Sequence, residues 1–121
     1  MLSALLAFEA STYVKAAFAV AVLCGVTGSA SGGLQITLSN QVLVDTWLAD
    51  STINLSALHR ILSVTSCSLD SLPHCGGVLA TLDICRETHA RAYKQFFVVT
   101  VIIPLIASVV IVGLALMGIT F

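Results

Sequence analysis

The chain has 121 residues, 58% of them hydrophobic and 9% charged, with a formal net charge of -1. A soluble domain carries about 25% charged residues, so much of this surface must face lipid or other protein. The charge balance gives no basic field for nucleic acid, and the length cannot hold a large soluble core besides membrane spans.

Residues 1–12 begin with the apolar run MLSALLAF and continue through Glu9. A span starting at Met1 would bury Glu9, at about 2.5–3.5 kcal/mol near the bilayer centre. Residues 1–12 are therefore read as a short amphipathic segment lying on a membrane or a partner. The first transmembrane helix is placed at 13–31, with Tyr13 and Lys15 at the interface and Lys15 snorkelling. Lys15, the apolar run after it and Gly28-Ser29-Ala30 also have the outline of a signal peptide, but the charge comes late for one. Ala17, Ala21, Gly25, Ser29 and Gly33 recur every four residues. Such a ladder of small residues lets two helix backbones approach closely in lipid, where apolar burial gives no drive to association.

Residues 32–77 form the extramembrane segment. Gly32-Gly33 are expected to end the first helix. Leu34, Ile36 and Leu38 alternate with polar residues, a weak strand pattern. Val44, Trp47 and Leu48 have helical spacing, and Ser51 or Asn54 is placed to cap a helix bearing Leu55, Leu58, Leu62 and Thr65 on one face. Ser66 to Gly77, with Pro73, two glycines and several serines, reads as a loop. Asn54-Leu55-Ser56 is also a glycosylation sequon.

From Val78 a helical stripe runs through Leu82, Cys85, His89, Tyr93 and Phe96, and Glu87 stands four residues before Arg91 in the favourable order. One long helix is predicted: an amphipathic part at 78–95, then a second transmembrane helix at 96–119. Phe96 to Phe121 are 26 residues without a charge, about 39 Å as a helix against roughly 30 Å of hydrocarbon. Pro104 removes an N–H and predicts a kink.

Candidate chemistry is sparse. Cys67, Cys75 and Cys85 with His74 lack the spacing of zinc pairs. A disulfide between Cys75 and Cys85 is possible in an oxidising compartment. Cys75-x9-Cys85 resembles one half of the twin C-x9-C pattern of mitochondrial intermembrane-space proteins, although Gly76-Gly77 depart from it. Cys24, in an apolar run, reads as a small hydrophobe. Among the histidines His89 is the weak candidate for a cofactor ligand, and a packed, hydrogen-bonded role is the simpler reading. No catalytic or metal motif occurs. Arg60, Arg86, Arg91 and Lys94 would hold the middle segment on the matrix, stromal or cytosolic side, whereas a disulfide would need the opposite side.

The sequence thus predicts an all-α membrane protein with two transmembrane helices in a hairpin and a mostly helical segment between them. The function expected is that of a small non-catalytic accessory subunit without a cofactor. Its partners would be lipid and other integral membrane subunits of a complex such as a respiratory-chain assembly. The inner mitochondrial membrane is the expected location, with thylakoid or plasma membrane as alternatives. The alternative function is a two-pass cell-surface or viral envelope protein with a disulfide-bonded, glycosylated ectodomain.

Overall fold

The computed structural model describes residues 11–119. Ten of the residues assigned to the amphipathic N-terminal segment, Glu9 among them, lie outside this range, as do the last two residues of the chain. The described residues are all-helical, without a strand.

Helix α1 spans Thr12–Thr27. Ser11 precedes it and Gly28, at φ 61, ends it. The Ser29 N–H reaches back to the Cys24 carbonyl at 3.3 Å, the six-to-one bond of a helix stop built on a left-handed residue. The first predicted span, 13–31, is thereby cut short. At about 1.5 Å per residue α1 reaches only about 24 Å, and the chain then turns into α2, Ala30–Ser39. Ser29 caps α2 by accepting from the Gly32 N–H at 3.2 Å. Gly32 and Gly33 therefore lie inside a helix that they were expected to break, and the alternation at Leu34, Ile36 and Leu38 belongs to that helix and to no strand.

Helix α3, Gln41–Ala49, follows at Asn40. It buries Leu43 and Trp47 and leaves Leu48 exposed, so the helix read around Trp47 forms, but its inward face pairs Trp47 with Leu43 rather than with Val44 and Leu48. Helix α4, Leu55–Ser66, is capped by Asn54, whose side-chain oxygen accepts from the Ser56 and Ala57 N–H groups. Its buried face carries Ala57, Leu58, Ile61, Leu62 and Thr65, while Leu55 is exposed. The core joins this face to Tyr13, Ala16, Ala19, Val20 and Cys24 of α1, to Leu43 and Trp47, and to Ala115 near the end of the chain.

After the loop 67–75, α5 spans Gly76–Ile84 and buries Val78 and Leu82. The single helix expected from Val78 to Ile119 is interrupted here. Arg86 stands at φ 53, and the Glu87 N–H bonds to the Leu82 carbonyl at 2.9 Å, so the chain stops and restarts at His89. The remainder is one 28-residue rod, His89–Leu116, made of α6 (His89–Phe97), a π-turn (Val98–Ile102) and α7 (Ile103–Leu116). The Ile103 N–H reaches back five residues to the Val98 carbonyl. The sequence predicts the kink at Pro104; the irregularity the rod shows is this π-turn, which ends two residues before the proline. The Thr100 hydroxyl donates to the Phe96 carbonyl at 2.7 Å.

Among the described residues His89–Leu116 is the one helix long and apolar enough to cross a membrane, with only 11% of its most apolar 18 residues buried. Thr12–Thr27 is apolar but shorter. The two-span hairpin is thus supported in one of its arms.

Candidate functional site

The small residues singled out along α1 meet a surface belonging to their own chain. Ala17 packs at the edge of the core and Ala21 is buried. Gly25 is buried beneath the loop: a Cβ there would stand 3.3 Å from Leu69 Cβ and 3.6 Å from Leu72 Cδ1. Ser29 is the α2 cap. Gly33, beyond the turn, faces back onto Cys24, where an added Cβ would lie 2.5 Å from the Cys24 Cα. The five positions thus fall on two helices joined by a turn. Their shared result is close approach between α1, α2 and the loop 67–75, as small residues allow.

The loop is tied down at three points, each to a backbone carbonyl. His74 Nε2 bonds the Gly25 carbonyl at 3.0 Å. His89 Nε2 bonds the Pro73 carbonyl at 3.2 Å, and the Tyr93 hydroxyl donates to the Ser71 carbonyl at 3.3 Å. A carbonyl only accepts, so each imidazole presents an N–H there. The rings of His89 and Tyr93 lie 5.9 Å apart, and those of Tyr93 and Phe97 6.0 Å. His89, the residue weighed as a cofactor ligand, is thus engaged in holding the loop. His74 was the stronger signal missed, because nothing local in the sequence brings it to Gly25, 49 residues away.

The opposite end of the bundle is tied separately. The Asn54 N–H donates to the Tyr13 hydroxyl at 2.8 Å, and the Thr12 hydroxyl donates to Asp50 at 2.7 Å. Hydrogen bonds from Thr52 and Thr12 hold the Asp50 carboxyl below its ordinary range. The two tied ends fix directions. Tyr13 meets Asn54 at one end and Gly25 meets the loop after Ser66 at the other, so α1 and α4 run side by side in the same sense. The rod that begins at His89, beside that loop, runs back against them.

All four cysteines are free thiols: Cys24 buried, Cys75 half-buried, Cys67 and Cys85 exposed. Cys75 and Cys85 cap opposite ends of α5, about 15 Å apart along its axis. A disulfide requires Cα atoms within about 7 Å, so the bond considered from the spacing would require α5 to unwind. No group of three or more His, Cys, Asp or Glu comes together among the described residues. The Glu87–Arg91 pair forms at 3.6 Å on the surface.

Against known proteins, no family profile matches the chain, and no solved structure matches it. It is similar to a protein of Bacillus subtilis (strain 168) described as "Uncharacterized transporter YxjC", at 37% identity over 92 residues. Those residues are 74% of this chain and 19% of the relative, so the chain spans about a fifth of that protein's length.

Proposed function

We propose that this chain is an integral-membrane helical module that acts by packing, without chemistry of its own, within a larger transporter-type assembly. The observation that carries the reading is the 37% identity to one fifth of a protein described as a transporter. The exposed apolar rod His89–Leu116 supports it, because in water its outward isoleucines and valines would be an aggregating surface. The accessory role expected from the sequence is retained as packing within an assembly. Neither the similarity nor the fold lends support to a respiratory-chain complex or to the inner mitochondrial membrane.

Carbonate-washed membranes and native gels in mild detergent test the proposal. The chain should stay in the washed pellet and migrate with further membrane polypeptides. Release by carbonate would overturn the membrane reading, and migration as a bare monomer would overturn the assembly.

A further inference from the structure

Two outward surfaces of the bundle differ in kind although they flank the same core. On α7 the outward residues Ile103, Leu105, Ile106, Val109 and Val110 are exposed and wholly apolar. On α4, which packs directly against α7 and α1, the outward residues past the first-turn Leu55 are Ser56, His59, Arg60 and Ser63, with Cys67 continuing the same face. All of these are exposed, so one leucine stands at the edge of an otherwise polar surface. The inward face of α4 is committed to the core through Ala57, Leu58, Ile61 and Leu62, so the helix cannot rotate to hide Arg60.

If α7 lies in hydrocarbon, α4 packed beside it lies at membrane depth and not in the extramembrane segment that the sequence predicts at 32–77. There an arginine facing lipid costs about 2.5–3.5 kcal/mol on insertion scales. No carboxylate lies within ion-pair distance of Arg60 among the described residues. Ser63 satisfies its own hydroxyl by donating to the His59 carbonyl at 2.8 Å, which leaves the Ser56 hydroxyl, His59 and Arg60 as the groups that require solvation. Charged side chains at membrane depth face a bundle interior or a water-filled cavity.

We infer that the Ser56–His59–Arg60–Ser63 face of α4 is bathed by water inside the assembled membrane protein and lines an aqueous path through it. This rests on the membrane-module reading of the preceding subsection. It adds the side of the module that faces the path: α4 turns to water, and α7 turns to lipid.

Thiol accessibility in the full chain tests it. Ser63→Cys, Ser56→Cys and Val109→Cys are made singly with Cys67, Cys75 and Cys85 replaced by serine and the buried Cys24 kept. Membrane fragments open to both sides are treated with the charged reagent trimethylammonioethyl methanethiosulfonate. Cysteines at 56 and 63 should label at least roughly tenfold faster than the one at 109, because the reagent needs both water and a thiolate. Protection at all three positions would overturn the inference, since lipid or protein would then cover α4, and would leave the membrane reading standing. Equal, rapid labelling at 63 and 109 would overturn the membrane reading itself.

Discussion

Gly33 lies flat against Cys24 across the α1–α2 turn: a methyl group at Gly33 would sit 2.5 Å from the Cys24 Cα and 2.6 Å from its backbone nitrogen. The obstruction is backbone, which cannot swing aside as a side-chain tip can. The Thr37 hydroxyl donates to the Gly33 carbonyl at 2.8 Å one turn on, and Thr37 is fully buried, so the contact extends along α2.

Gly33→Ala should therefore force α2 off α1, at a cost of about 1–3 kcal/mol or more for overpacking. Gly113→Ala is the matched control. Nothing lies within 4 Å of its added Cβ, and the gain in helix propensity is up to about 1 kcal/mol. Thermal unfolding in detergent should lower the midpoint for the first variant and hold or raise it for the second. Equal midpoints would show that the two helices separate freely.

Gly25→Leu should dislodge the loop 67–75, because Leu69 and Leu72 occupy the space the new side chain needs. Val22→Leu, on a half-buried position of the same helix, should be tolerated. Limited proteolysis reads the difference as faster cleavage between Cys67 and Cys75 in the first variant, together with weaker assembly on a native gel. Identical cleavage would mean that the loop is held elsewhere.

Asp50 makes one contact of the bundle acid-sensitive. Its carboxyl is held below the ordinary 3.8 by hydrogen bonds from Thr52 and Thr12, so the folded state favours the charged form. The stabilisation is fully present above pH 3.8 and is lost as pH falls through the lower folded value. Unfolding midpoints should drop on acidification into that window, and Asp50→Asn should flatten this part of the profile. An unchanged profile in Asp50→Asn would assign the acid sensitivity to another carboxylate.

His89 and Leu82 separate ligand chemistry from packing. His89→Ala should loosen the loop by removing one hydrogen bond, worth about 0.5–1.5 kcal/mol, and leave assembly intact. Leu82→Asp places a charge in a buried position and should abolish it. Loss of a coloured group from purified assembly in His89→Ala, with subunit content preserved, would make His89 a ligand.

Much of this architecture was legible where local chemistry alone decides it. The Asn54 cap, the helix around Trp47 and the Glu87–Arg91 pair are set by neighbours within four residues. Where the sequence misled, tertiary contact had won. Gly32-Gly33 look like a break, yet the glycine at 33 is required by Cys24 and sits inside a helix. The stop at Arg86 has neither glycine nor proline to announce it, because an arginine occupies the left-handed position. The ties of His74 to Gly25 and of Tyr13 to Asn54 join residues some forty or more positions apart, and no periodicity records such pairings.

The π-turn at Val98–Ile102 sets the angular phase of the whole rod. On α7 and the turn before it, the buried positions Val101, Ser108 and Ala115 recur every seven residues. Carried back unchanged, that seam would arrive at Lys94, which is exposed. Tyr93, one residue earlier, is the side chain that reaches the loop at Ser71. The turn absorbs one extra residue, and each residue is about 100° of helix rotation. It therefore works as a coupling between two differently cut gears: the outer stretch aims its tyrosine at the loop and its lysine at water, while the inner stretch keeps its buried seam of Val101, Ser108 and Ala115 turned inward.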